Sequence, residues 1–394
     1  MFSGKTPDSH TANRLTRSVA RHQGTLVDLT VSNPTTVGLT TAPPDLEALR
    51  SPANAFYEPD PRGTALARRA VSGYYAGHGV EAAVERLVLT ASSSEAYSWL
   101  FKVLCDPGDS VLVPAPSYPL LDALAELESV ELARYRLPPE DGWAVHTGAI
   151  VECVDRLAAS GKRVKAVVLV NPNNPTGSSV GEPELERLEE TALCHGFALI
   201  SDEVFLDYRF ADRPGDVRIA AARDRALVFS LGGLSKAAAL PQMKLGWILA
   251  NGPAALLEEA LERLEWVADS FLSVGTPVQN ALASMIGGRH RAASEVRDRI
   301  LENDRRLRAA FPAGGPVDVL PLRAGWTAVL RVPAVVPEEE LAVSLVERHG
   351  VLVHPGYFFE FPHEAFLVLS LLPNPSLFEA GVERLRCGIG ALGR

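Results

Sequence analysis

Five short apolar runs, each leading through a polar loop into a longer segment, constrain this chain more than any other feature. RLVLTA (86–91), DSVLVPA (109–115), VKAVVLVN (164–171), FALISDE (197–203) and RALVFS (225–230) are rich in Val, Leu and Ile and lack polar alternation. Runs of that kind are strands covered on both faces, the habit of a parallel sheet. Between them lie helical patterns. SEAYSWLFKVLCD (94–106) stops at Pro107-Gly108, and GEPELERLEETALCHG (181–196) has Pro183 near its start and Gly196 at its end. The alternation predicts an α/β layer, a mostly parallel sheet with helices on both faces, whose ligands sit at the C-terminal ends of the strands.

The long amphipathic stretch PAALLEEALERLEWVADSFLS (253–273) is predicted to leave this layer. Beyond residue 288 the pattern changes to VDVLPL, WTAVLRVP, VLVHPG and FLVLSLL, with PEEELAVSLVERHG between them and a terminal helix after them. We therefore expect an N-terminal arm and part of a small domain over 1–44, a large domain over 45–288, and a smaller α+β domain over 289–394. The first 24 residues read as a mobile polar arm without the apolar core of a signal peptide.

The net charge is −10 with Lys and Arg scattered, which argues against a nucleic-acid or acidic-membrane surface. No apolar run approaches membrane-spanning length. Cys105, Cys153, Cys194 and Cys387 form no CxxC pair, so no metal site is expected and a reduced, cytoplasmic protein is.

Polar groups gather after the predicted strands. TASSSEA (90–96) sets Ser92, Ser93 and Ser94 at a helix start, as a phosphate cradle or an ordinary N-cap. VPAPSYP (113–119) presents Tyr118, to stack on a flat ligand or to fill the core. VNPNNPTG (170–177) fixes a tight loop rich in amides, and SDEVF (201–205) leaves Asp202 at a strand end, where a desolvated carboxylate needs a cation. SLGGLSKAAALPQMKLGWI (230–248) puts Lys236 and Lys244 in apolar surroundings, and lysine is almost never fully buried unpaired. Together these groups suit pyridoxal 5'-phosphate, whose chemistry uses a lysine Schiff base and an acid facing the pyridine nitrogen.

In order and spacing YEPDPRG, DPGDSVLVPAPSYP, NPNNPTG, SDEV, LSKAAALPQMKLGW and VLVHPG resemble the class I/II aminotransferases of the aspartate aminotransferase fold, over nearly the whole chain. The resemblance implies a transaminase moving an amino group from an amino acid or amine to a keto acid. It makes Lys236 the Schiff-base lysine and proton shuttle, with Asp202 on the pyridine nitrogen, Asn174 on the ring 3-oxygen and Tyr118 stacked on the ring. Ser92, Ser93, Ser94 and Lys244 would hold the phosphate, Tyr57 would reach the phosphate of a neighbouring subunit in a homodimer, and Ser32 and Asn33 would meet substrate.

Four positions depart from the family pattern. Lys244 replaces an arginine, Gly233 a serine, and Phe205 a tyrosine whose part Tyr208 is a candidate to take. Val368 stands where an arginine clamps the substrate carboxylate, a role no aliphatic side chain fills. Arg323 is the replacement clamp expected from the sequence and His354 a weaker one; the alternative is a substrate without an α-carboxylate. A lyase or condensing enzyme of the same fold is the rival reading. A ligand-sensing regulator would need a DNA-binding domain, and the stretch before GTLVDLT is too short for one. A dinucleotide-dependent dehydrogenase would need GxGxxG after the first strand, where TASSSEA stands.

Overall fold

The structure is a computed structural model that describes residues 2–7, 12–39, 46–211 and 214–391. The expected boundary at 44/45 lies outside the described residues. In chain order the strands are β1 (Val27–Asp28), β2 (Leu87–Thr90), β3 (Ser110–Ala115), β4 (Glu131–Arg136), β5 (Val164–Val170), β6 (Ala198–Asp202), β7 (Val228–Gly233) and β8 (Gly246–Asn251). They continue as β9 (Asp318–Val319), β10 (Thr327–Arg331), β11 (Val351–Leu352), β12 (His354–Pro355) and β13 (Phe366–Ser370).

Seven strands form the large sheet in the order β2-β8-β7-β6-β5-β3-β4, and only β8 runs antiparallel to its neighbours. Successive residues of one strand face opposite layers. Leu112, Val167 and Leu199 pack with Tyr75, Ile150 and Leu188 on one side. Their neighbours Val111, Val168 and Ile200 pack with Trp99, Phe101 and Leu264 on the other. Both faces are covered, which is why these strands read as unbroken apolar runs.

Two expectations are corrected. The helix Ala254–Phe271 does not leave the layer: Leu257, Leu261, Leu264 and Val267 lie on the large sheet with Val88, Phe229 and Ile248. The helix that carries the chain away is Arg289–Ala310, which buries Val296, Ile300 and Leu307 among small-domain residues such as Leu330 and Leu367. The opening segment is not all arm either. Helix Arg14–Arg21 is capped by the Asn13 side chain, which accepts from Thr16 N–H at 2.7 Å. Its Leu15 packs on Ala342, Val343 and Val346, and Ser18 donates to Glu347 at 2.7 Å.

The small domain holds a four-stranded antiparallel sheet, β12-β13-β10-β9, and β1 pairs in parallel with β11 beside it. No helix among the described residues is long and apolar enough to cross a membrane.

Candidate active site

The C-terminal ends of β2, β3, β5, β6 and β7 open into one cavity of about 360 Å³, which the small domain closes from β10, β12 and β13. Nine of the expected residues line it: Ser32, Ser92, Ser93, Ser94, Tyr118, Asn174, Asp202, Lys236 and Lys244.

At one end Ser92 caps helix Ser93–Leu104, its Oγ accepting from Glu95 N–H at 3.1 Å. The N-cap reading therefore holds, and the helix still presents its N-terminus, with Ser93 and Ser94, to the cavity. That end of a helix favours an anion. Lys244 lines the same cavity with its backbone at φ 49°, a left-handed conformation uncommon outside glycine. Gly233 needs no hydroxyl to explain it: a Cβ there would sit 3.2 Å from the Gly246 Cα and 3.3 Å from the Leu245 carbonyl oxygen.

The register of the parallel strands sets Asp202 of β6 beside Val170 of β5 and Leu231 of β7, deep in the sheet. Its Oδ1 accepts from Val204 N–H and its Oδ2 from the Tyr97 hydroxyl, both at 3.1 Å. Burial raises its pKa from the ordinary value, opposed by those two hydrogen bonds and by Lys236. Lys236 lies just beyond β7 in the helical turn Leu234–Ala237. Its Nζ is 4.6 Å from the centroid of the Trp326 ring and 5.8 Å from that of Phe205. Burial lowers its pKa, and Asp202 partly restores it. A buried carboxylate facing a desolvated amine leaves each with an unmet charge requirement, the environment in which pKa values are tuned for catalysis.

The three asparagines of the NPNNPTG loop divide their work. Asn171 donates to the Val217 carbonyl at 3.0 Å, and Asn173 accepts from the Thr176 hydroxyl at 2.8 Å; both hold the loop. Asn174 faces the cavity with its Oδ1 buried and without a hydrogen-bond partner. Buried amide oxygens are rarely left so. The loop is held from the small-domain side, where Thr327 donates to the Pro175 carbonyl at 3.0 Å. Gly177 closes the turn at φ +70°, and a Cβ there would fall 2.6 Å from the Ala324 carbonyl oxygen. Gly177→Ala is accordingly expected to destabilise the fold by roughly 2–4 kcal/mol, from strain and a backbone clash combined. A urea denaturation midpoint unchanged from the parent would contradict this.

Tyr118 is 50% exposed, so it is no core residue. Three expected residues stand elsewhere. Tyr57 is 74% exposed and outside the cavity of its own chain. The Asn33 side chain caps the turn Pro34–Thr36, accepting from Thr35 N–H at 3.0 Å. Arg323 is the clear correction: its guanidinium donates to Asp216 at 3.0 Å and does not line the cavity. The Arg323 carbonyl accepts from Phe210 N–H at 2.8 Å, which turns the PLRAGW loop so that Trp326, not Arg323, meets the cavity. Tyr208 is corrected as well. Its hydroxyl donates to the Lys236 carbonyl at 3.0 Å, fixing the backbone under the lysine and not reaching into the cavity.

The sequence reading missed Tyr97 and Trp326. Tyr97 carried a signal, since it lies one helical turn beyond Ser93 and Ser94 and shares their face. Trp326 carried none, because only the fold brings it to Lys236.

Pyridoxal 5'-phosphate fits these groups: an anion end at the serines and Lys244, a flat wall at Tyr118, a carboxylate at Asp202, an unpartnered amide at Asn174 and an amine at Lys236. Residues 25–385 match the family described as aminotransferase class I and II. The glutamate-pyruvate aminotransferase AlaA of Haemophilus influenzae is 26% identical over 377 residues, which is 91% of this chain and 89% of that protein. A crystal structure of an Escherichia coli aminotransferase superposes with a TM-score of 0.86 at 23% identity, covering 99% of this chain and 98% of that one. A Thermus thermophilus aspartate aminotransferase gives 0.83 at 21% identity, covering 98% and 99%.

Proposed function

This chain belongs to the class I and II aminotransferases, enzymes that depend on pyridoxal phosphate, and from that premise we propose which of its residues do the work. Bound in the cavity, the cofactor supplies an aldehyde carbon to which amines add and a protonated ring that withdraws electrons from a neighbouring carbon. Lys236 would hold the cofactor through Nζ and, when free, would carry the proton of the substrate carbon. A lysine whose pKa burial has lowered is suited to that exchange near neutral pH. Asp202, oriented by Tyr97 and Val204 N–H, would keep a proton on the pyridine nitrogen. Asn174 would meet the ring oxygen, Tyr118 would cover the ring, and the three serines with Lys244 would bind the phosphate.

The convergence of Lys236 and Asp202 from adjacent strand ends into one cavity carries this reading. The amino donor is an amino acid or amine and the acceptor a keto acid. The proposal extends to a homodimer, in which Tyr57 reaches the neighbouring site; its exposure beside exposed Phe56 supports that role. It extends also to a cytoplasmic location, in keeping with four unpaired cysteines.

Borohydride treatment of the holoenzyme, followed by peptide mass mapping, is expected to fix the cofactor on Lys236. Glutamate and pyruvate, the pair named for the H. influenzae relative, are the first to assay. Release of a keto product with retention of nitrogen by the protein supports transamination. Pyruvate and free ammonia from a cysteine-type substrate would instead make this a lyase.

A further inference from the structure

We infer that the preferred substrate carries an uncharged substituent, on its amine-bearing carbon, where an amino acid carries its α-carboxylate; this rests on the reading of Lys236 given above. The small-domain wall of the cavity is built from Trp326, Thr327, His354, Val368, Leu369 and Ser370. Among the described residues no arginine lines the cavity, and its two lysines are Lys236 and Lys244. The first carries the amine chemistry and the second stands with the serines of the phosphate end. Neither is left for a second anion.

The arginines of the small domain and its connecting helix are directed elsewhere. Arg323 donates to Asp216 at 3.0 Å and Arg331 to Asp318 at 2.6 Å. Arg299 donates to the carbonyls of Val37 and Leu372, at 3.2 and 3.1 Å. His354 is the remaining basic group on this wall. It lies opposite Val368 in the β12–β13 pair, its ring 5.6 Å from that of Phe358 and 5.8 Å from that of Phe359. Burial lowers its pKa, offset in part by Asp28 from β1. A neutral imidazole offers one hydrogen bond and no charge. Asp28, close enough to His354 to act on it, adds a carboxylate and no cation to this side.

A carboxylate against Val368 would therefore be desolvated without a counter-ion, whereas a hydrocarbon group gains contact with Val368, Leu369, Phe359 and Trp326. The donor half-reaction balances without that group. The C–H bond at the amine-bearing carbon breaks, and its proton passes to Lys236 Nζ and on to the former aldehyde carbon of the cofactor. The nitrogen would stay on the cofactor, water would supply the oxygen of the released ketone or aldehyde, and the two electrons lost by the substrate carbon would reduce the cofactor. The same wall is expected to favour keto-acid acceptors whose carboxylate lies away from the carbonyl carbon.

The test uses holoenzyme and matched pairs, L-norleucine against each enantiomer of 2-aminohexane, and L-phenylalanine against 2-phenylethylamine. Single-turnover bleaching of the cofactor band and the carbonyl product are followed together. The amine of each pair is expected to show at least about a ten-fold higher kcat/KM, a difference of roughly 1.4 kcal/mol. A binding measurement without turnover runs beside it: 3-phenylpropan-1-ol should bind the holoenzyme at least about ten-fold more tightly than 3-phenylpropanoate by titration calorimetry. Val368→Arg should reverse both preferences, and the parent measurements stand if that variant does not fold. An amino acid equal to or better than its amine, or tighter binding of the carboxylate, overturns the inference. So does silence from both members of each pair in an enzyme whose Lys236 borohydride still fixes to the cofactor, which leaves the reading of Lys236 intact. Failure of that fixation removes the reading of Lys236 itself, and the inference with it.

Discussion

Lys236→Ala is expected to lower turnover by about 10,000-fold while leaving a protein that still takes up pyridoxal phosphate noncovalently. The side chain supplies two functions at once, the bond to the cofactor and the carrier of the substrate proton, and a positioned proton carrier alone contributes up to about that factor. The rings of Trp326 and Phe205 over which its Nζ stands cannot carry that proton. The loss should be local. The Tyr208 hydroxyl bonds the backbone carbonyl of residue 236, which alanine retains, so the turn Leu234–Ala237 keeps its anchor. The serines, Lys244, Asp202 and Asn174 are untouched, and their contacts should hold the cofactor through dialysis against weak chelating amines. Turnover near the parent level, or a borohydride-reducible bond in the variant, would show that a different lysine is the covalent one.

How much of this site was legible in the sequence follows from how each residue is positioned. Residues placed by a strand end were readable, because a run such as FALISD states both the strand and the carboxylate that terminates it. Lys236 was readable for the same reason, as a charge in a stretch with no other reason to hold one. Edge and crossing strands were less so. β4 is exposed at both ends and half-buried between, with only Tyr135 buried and charges among the rest, and β8 runs antiparallel directly out of the lysine loop, so neither resembles the central runs. The stretch 253–273 was expected to leave the layer because an amphipathic pattern does not say which sheet receives it. Ala254–Phe271 meets the large sheet and Arg289–Ala310 the small domain, a choice made by tertiary packing.

Arg323 shows the limit most clearly. An arginine three residues before the Trp326 that faces the cavity looks available in one dimension. Its partner Asp216 lies 107 residues away in sequence, and only folding shows that the charge is already neutralised. The same holds for Tyr208, an apt phenol by spacing, whose hydroxyl is held by the lysine's own backbone. Long-range pairing settles which polar groups remain for a ligand, and local patterns do not report it.

Asp202→Asn is expected to lower kcat by about 100-fold or more, the loss that follows removal of one preorganised electrostatic partner, and yet to raise the melting temperature of the apoprotein at pH 8. The substitution keeps the shape of the site: Oδ1 still accepts from Val204 N–H, and the Tyr97 hydroxyl can accept where it formerly donated. What is lost is the charge that holds a proton on the pyridine nitrogen. The stability effect has a definite sign. Burial raises the pKa of Asp202 in the folded protein above its unfolded value of 3.8, so the folded state binds this proton more readily than the unfolded chain. Its stability is then fully present below the unfolded pKa and is lost as pH rises through the folded one. Asparagine has no proton to lose and escapes that decline. Glu203, buried next to Asp202 and pushed up to about 8, adds a decline of the same sign between its ordinary 4.5 and that value in parent and variant alike. The comparison is therefore the difference between the two proteins at each pH, near zero at pH 3 and in favour of asparagine at pH 8. Cofactor should narrow that gap, because a protonated ring gives the parent carboxylate the cation its burial requires. A variant no more stable than the parent at pH 8, or one with parental kcat, would mean that Asp202 is already compensated within the chain and does not face the ring nitrogen.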